Sequence, residues 1–222
     1  MKKLFLRHAV VILFFIGCLF STALQAQTFK GGIVAGANFT QIDGDAIAGY
    51  TKVGINAGVA SEIVLGKRWS LALELLYSQK GSASSYSLTS YGGVPFQIRM
   101  HYADIPVLVR YHDVIGGLTF GGGASVGRLL GYKYVEDGLD LTESFDMTDK
   151  FNDWDLQLIG DISYMFTPVW GVNFRIAYSA LSIRTDCANS LLRNCAQVNN
   201  VLSLRTVFMF SALNQKNAAG ND

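Results

Sequence analysis

Eight segments of the chain alternate between apolar and polar residues with a period of two. In the clearest, between Trp69 and Lys80, alternate positions from Trp69 to Tyr77 are apolar, and the positions between them, such as Ser70 and Glu74, are small or polar. Such alternation is typical of a β-strand with one apolar face. The predicted strands cover residues 29–40, 53–63, 69–80, 102–111, 117–132, 154–166, 169–182 and 200–210.

The connections between these segments alternate between long and short. The long ones are 41–51, 81–97, 133–153 and 183–199, and the short ones are 65–68, 112–116 and 167–168. A soluble barrel has no reason to keep all its long loops on one side, whereas an outer-membrane barrel has short periplasmic turns and long extracellular loops. The pattern therefore predicts an all-β protein, an eight-stranded antiparallel transmembrane β-barrel.

Charged residues recur on the small, polar face of the predicted strands. They would be costly in contact with lipid but can pair inside a narrow barrel, so the apolar face is expected to point outward. Eight strands leave room only for side chains in the lumen, which favours a paired network that fills it over a polar path for solutes. The network is predicted to contain Glu74, Asp104, Arg110, Arg128, Asp161, Arg175 and Arg205, with Glu62 beside them.

Aromatic residues mark both ends of the predicted strands, as in the girdles of membrane proteins. Those expected at the periplasmic end are Trp69, Tyr111, Phe166, Trp170, Phe208 and Phe210. Those expected at the outer end are Tyr50, Tyr77, Trp154 and Tyr178.

The first 26 residues are interpreted as a secretory signal peptide. Lys2, Lys3 and Arg7 precede an apolar stretch, residues 9–20, and small residues follow up to a predicted cleavage site after Ala26. A retained anchor is the alternative. The barrel is expected to occupy residues 27–210, and the polar segment 211–222 is expected to be a disordered tail.

Composition narrows the choice of function. Hydrophobic residues make up 50% of the chain and charged residues 16%, yet only the N-terminal segment could form a spanning helix, which argues against a polytopic helical membrane protein. The 18 basic and 17 acidic residues leave no electrostatic support for nucleic-acid binding. Cys187 and Cys195 are candidates for a disulfide in an exported protein, and a metal pair is disfavoured because no histidine lies nearby.

Catalysis has little support in the sequence. His101 and His112 are expected at opposite ends of one strand, and no nucleophile motif accompanies either of them. We therefore expect a protein that is not an enzyme and uses no cofactor or metal. The acidic third outer loop is interpreted as a solvated surface, with cation binding or a basic partner as the alternative; it contains Glu136, Asp137, Asp140, Glu143, Asp146, Asp149 and Asp153.

Three segments resemble the PorT-like outer-membrane barrel family of the Bacteroidetes. They are Leu-Glu-Leu-Leu-Tyr-Ser-Gln-Lys-Gly at 73–81, Tyr-Ala-Asp-Ile-Pro-Val-Leu at 102–108, and the glycine-rich opening at 31–39. The resemblance implies the barrel fold and supplies no catalytic or ligand residues. The family takes its name from a member required for protein secretion by the type IX pathway.

The resemblance, together with the filled lumen, leads to an expected function. The protein is expected to lie in outer-membrane lipid as an accessory or scaffold component of the cell envelope. Its extracellular loops would contact other envelope or secretion proteins. The alternative is a narrow pore or transporter for small solutes.

Overall fold

A computed structural model describes residues 29–44, 49–84, 95–113, 116–142, 151–184 and 197–210. Several sequence predictions fall outside these ranges. They concern the signal peptide, the pair Cys187 and Cys195, the tail 211–222, and the loop acids Glu143, Asp146 and Asp149.

The described chain consists of β-strands joined by turns and loops. The strands are β1 (Phe29–Asp43), β2 (Lys52–Val64), β3 (Trp69–Ala83), β4 (Phe96–His112), β5 (Leu118–Glu136), β6 (Leu139–Asp140), β7 (Trp154–Met165), β8 (Trp170–Ser179) and β9 (Val198–Met209). Among the described residues, no helix has the length and apolarity needed to cross a membrane.

Eight of these strands form a closed antiparallel barrel. Each pairs with its neighbours along the chain, with β5 joined directly to β7, and β1 closes the cylinder against β9 from Gly32–Met209 to Asp43–Val198. The two-residue β6 pairs only with the end of β5. The predicted eight-stranded antiparallel barrel is thus confirmed.

The two faces of the barrel wall differ as the alternation predicts. Leu73, Leu75 and Val107 point outward with about half of their surface exposed, while Glu74, Ser78 and their inward neighbours are buried. Apolar side chains that would be buried in a soluble protein are here the surface that faces lipid.

Aromatic side chains form contacts at the short-turn end of the barrel. The Trp69 and Tyr111 rings lie 5.1 Å apart between centroids, and Phe166 packs against both Tyr164 and Trp170. At the long-loop end, Trp154, Tyr178 and Tyr77 are exposed. These positions match the two predicted girdles.

Three adjacent strands extend further toward the long-loop end of the barrel than the sequence pattern predicts. β3 continues to Ala83 and β4 begins at Phe96 rather than Tyr102, so both ends of the predicted loop 81–97 are strand. β5 continues to Glu136 and turns into β6 through Asp137 and Gly138, with φ values of 49° and 79°. Positive φ at both positions is the geometry of a tight type I′ hairpin turn.

A β-bulge in β5 changes which residues face the interior. His101 pairs with Gly131 and Tyr102 with Leu129, so Leu130 has no partner in β4. The inward positions are therefore odd-numbered before the bulge, as at Ser125, and even-numbered after it, as at Tyr132.

Candidate functional site: the charged interior

The carboxylate of Glu74 binds three arginines in the middle of the barrel. Arg175 on β8 donates to both carboxylate oxygens at 2.9 Å, Arg110 on β4 donates to Oε1 at 2.8 Å, and Arg205 on β9 donates to Oε2 at 3.0 Å. Glu74, Arg175 and Arg205 are 1–3% exposed. Because buried charges are costly without partners, these contacts tie three strands to β3.

Two further carboxylates complete this group, which we call the arginine cluster. Asp161 accepts hydrogen bonds from Arg175 at 2.7 Å and from Arg110 at 3.2 Å. Glu62 lies 3.6 Å from Arg110 and 3.0 Å from the Nε2 atom of His112. Three carboxylates thus face three guanidinium groups, and the cluster is balanced in charge.

A second group, the lysine cluster, lies nearer the long-loop end. The Nζ atom of Lys80 is 3.0 Å from Asp104, 3.1 Å from Asp155 and 3.0 Å from Oε1 of Gln157. It also lies 4.5 Å from the centre of the Tyr102 ring, a cation–π distance. One ammonium group therefore holds together β3, β4 and β7.

The structure brings together most of the predicted interior residues. Glu74, Arg110, Asp161, Arg175 and Arg205 form the arginine cluster with Glu62, and Asp104 belongs to the lysine cluster.

Arg128 does not belong to the interior, and its predicted place in the network is corrected. Its side chain is 52% exposed, pairs with Asp153 at 3.0 Å and lies over the ring of Trp154. The physical reason is strand parity, because Arg128 precedes the bulge and shares the outward face with Val126 and Phe120.

The sequence interpretation missed Lys80, Asp155 and Gln157. Their spacing in the sequence could have revealed Lys80 and Asp155. Lys80 lies on the same face of β3 as Glu74, six residues away, and Asp155 lies six residues before Asp161 on β7. An even spacing in a strand places side chains on one face.

Apolar side chains close the lumen at its outer end. Their cluster lies beyond Lys80 and draws on β1, β4 and the segments that flank β7 and β8. Its buried members are Ile42, Ile98, Met100, Tyr102, Phe151 and Ile183.

A small cavity separates the two charged clusters. Its volume is about 20 Å³, and its lining includes Lys80 and Arg175. Asn56 Oδ1, Ser125 Oγ and Gln157 Nε2 also belong to lining residues and lack a hydrogen-bond partner. One water molecule would fit and could satisfy two acceptors and one donor. The interior is suited to packing and holding charge, since the cavity has no room for a solute larger than water.

The two histidines lie at opposite ends of β4 and make different contacts. His112 contacts Ser70 at 2.7 Å and Thr119 at 3.0 Å inside the short-turn end, while His101 contacts the hydroxyl of Tyr77 on the outer surface. Ser70 and Thr119 are buried. Within the described ranges, no group of three or more His, Cys, Asp or Glu side chains is arranged to hold a metal ion.

Solved structures of outer-membrane proteins are similar to this chain. Ail of Yersinia pestis has 12% identity and a TM-score of 0.47, with 82% of this chain and 98% of that chain covered. Neisserial surface protein A has 13% identity and a TM-score of 0.44, with coverage of 84% and 100%. CarO of Acinetobacter baumannii has 10% identity and a TM-score of 0.43, with coverage of 81% and 97%.

No curated protein matches the chain in sequence. Residues 25–182, however, match the family described as outer membrane protein beta-barrel domain. The match spans seven of the eight barrel strands, from β1 to β8 without the short β6. With its lipid-facing apolar surface and closed antiparallel wall, this chain belongs to the outer membrane protein beta-barrel domain family.

Proposed function

We propose that the protein is a non-catalytic accessory or scaffold component of the outer membrane. The observation that carries this proposal is the filled lumen. The arginine cluster, the lysine cluster and the apolar cluster around Met100 occupy successive levels of the interior. A barrel filled in this way acts through its outer surface and its loops.

The extracellular end offers the surface for such a role. β3, β4 and β5 extend beyond the outer girdle, and this extension carries polar outward residues such as Gln97. This extension leads into the segment 85–94 of the sequence. We propose that these outer segments contact other envelope proteins, and the resemblance to the PorT-like family supports a link to protein secretion.

The test is a deletion of the gene followed by quantitative mass spectrometry of surface-exposed and secreted proteins. Loss or periplasmic retention of a defined cargo set is the expected result. Reintroducing the intact gene should restore the secretion of that cargo set. A complementing variant in which residues 85–94 are replaced by a glycine-serine linker should insert normally but fail to restore the cargo.

A matched control replaces the periplasmic turn 65–68 instead and should complement fully. If the secreted and surface proteins do not change on deletion, the link to secretion is wrong. If the two replacement variants complement equally well, the assignment of the contact to residues 85–94 is wrong.

A further inference from the structure

Two basic residues lie directly opposite each other on the outer extension of the barrel wall. Arg99 on β4 and Lys133 on β5 are register partners, and both lie on the outward side of the strand alternation. His101 follows Arg99 by two residues and so lies on the same face. Like charges opposite each other in an antiparallel pair destabilise the sheet unless an anion compensates them.

The chain itself compensates this pair only in part. Lys133 forms an ion pair with Asp140 at 2.8 Å. The contact of Arg99 is a long one, 3.4 Å from Nη2 to the amide oxygen of Gln97, and its Nε is buried without a hydrogen-bond partner. Among the described residues no carboxylate pairs with Arg99 or His101, and residues 85–94 contain no acid.

The basic pair lies just outside the lipid-facing belt. Along the outward face of β4, Val107 and Ile105 are exposed apolar residues, Ala103 pairs with the girdle residue Tyr77, and His101 and Arg99 come next. Aromatic girdles lie at the level of the lipid headgroups. Arg99 and Lys133 are therefore at the height where the outer leaflet presents its phosphate groups.

We propose that Arg99 and Lys133, with His101 beside them, bind the phosphate groups of lipopolysaccharide in the outer leaflet. A guanidinium group can donate two parallel hydrogen bonds to a phosphate, and an adjacent ammonium adds a point charge. The bound phosphate supplies the negative charge that the register pair lacks. This site is separate from the proposed contact with envelope proteins, because it lies on the lateral surface of the barrel.

The test compares lipid A with its dephosphorylated form. The purified barrel is folded in neutral detergent micelles, and its unfolding temperature is measured with diphosphorylated lipid A, with dephosphorylated lipid A and with inorganic phosphate. We expect only diphosphorylated lipid A to raise the unfolding temperature. The double variant Arg99→Gln/Lys133→Gln should lose the rise and bind lipid A at least about tenfold more weakly.

Two further measurements separate the proposal from loss of folding. Without lipid A, the double variant should unfold close to the natural chain, because removal of the like-charge pair offsets the loss of the exposed ion pair between Lys133 and Asp140. The variant Lys67→Gln/Arg68→Gln, with the same charge change in the exposed periplasmic turn, should keep the full rise. The proposal is overturned if the Arg99/Lys133 variant keeps the rise, if dephosphorylated lipid A acts equally well, or if inorganic phosphate alone produces the effect.

Discussion

Glu74 is the side chain on which the interior of the barrel depends most. Its two oxygens accept hydrogen bonds from Arg110, Arg175 and Arg205, which come from three different strands. The three arginines in turn would repel one another without the carboxylate between them. The arginine cluster therefore depends strongly on this one carboxylate.

Replacing Glu74 by Gln should destabilise the barrel by about 3–5 kcal/mol, because it leaves buried guanidinium charge uncompensated. The free energy of unfolding can be measured by denaturant titration in lipid vesicles. The control is Asp153→Asn, which removes the exposed partner of Arg128 and should cost less than about 1 kcal/mol. Equal stability of the Glu74 variant and the natural chain would contradict a structural role for the cluster.

A second prediction concerns a glycine that makes room for the arginine cluster. A Cβ atom at Gly121 would lie 2.1 Å from Oδ1 of Asp161 and 3.2 Å from Cγ of Arg110. Gly121→Ala should therefore destabilise the barrel by about 1–3 kcal/mol through overpacking.

The neighbouring glycine provides the matched control. At Gly122 the nearest atom to an added Cβ is the carbonyl oxygen of Ile159, at 4.0 Å. Gly122→Ala should leave the unfolding midpoint unchanged or raise it slightly, because alanine has less freedom in the unfolded chain. If the two variants unfold at the same denaturant concentration, the steric argument for Gly121 is wrong.

Parity in the strands was enough to find most of the interior charges but not all of them. Glu74 and Arg175 alternate with large apolar residues, which makes their face readable from the sequence. Around Arg128 the strand contains Gly121, Gly122 and Gly123, which have no side chains to mark a face, and the bulge at Leu130 reverses the parity further on. The inward face of β5 could therefore not be derived from the pattern alone.

At the scale of the strand, β4 shows why the predicted boundary was too late. The half of β4 nearer the short turns has apolar side chains that face the lipid, such as Val107. The half nearer the long loops has apolar side chains that face the lumen, such as Ile98 and Met100. The alternation continues without interruption, but near Asp104, where the strand leaves the lipid, the apolar residues move from the outward face to the inward face. A search for outward apolar residues consequently stops at Ala103, next to the predicted start at Tyr102, although the hydrogen-bonded strand begins at Phe96.

The β5–β6 hairpin provides a prediction about pH. The hydrogen bond from Lys133, supported by hydrogen bonds from Thr142, lowers the pKa of the exposed Asp140 carboxyl to about 2. Because this pKa is lowered on folding, the interaction stabilises the hairpin above the ordinary carboxyl pKa of about 4 and is lost as the pH falls toward 2.

An NMR titration of the Asp140 carboxyl carbon measures this directly. The midpoint should lie near 2 in the natural chain, and Lys133→Gln should raise it toward the ordinary value. Lys67→Gln, which removes a distant lysine, should not move it. An ordinary midpoint in the natural chain would mean that the ion pair does not form in solution.

At the scale of the whole molecule, the barrel consists of two stacked zones with opposite polarity. In the lipid zone the exterior is apolar and the interior is charged, while in the outer zone the interior is apolar and the exterior is polar. The strand count and the overall topology were accessible from the sequence because each strand has a clear apolar face. The outer zone depends on which strands extend beyond the membrane, and no local pattern reports that.

The filled lumen predicts that the purified protein does not conduct ions. In a planar bilayer, the natural chain should give no single-channel steps above the baseline of the bare membrane. A sixteen-stranded porin measured in the same bilayer serves as the positive control, because barrels of that size enclose an aqueous channel. Reproducible steps from the natural chain would favour the pore interpretation over a scaffold.

The closure of the barrel has one more consequence. The first and last strands are hydrogen-bonded neighbours, and the amide of Phe210 donates to the carbonyl of Gly31 at 2.7 Å. The start of the first strand and the end of the last strand therefore lie side by side at the short-turn rim. A short linker could join them and new termini could be opened in an extracellular loop without removing any strand pairing. The cylinder should then form from a circularly permuted chain, because it depends on which strands are neighbours and not on which strand comes first.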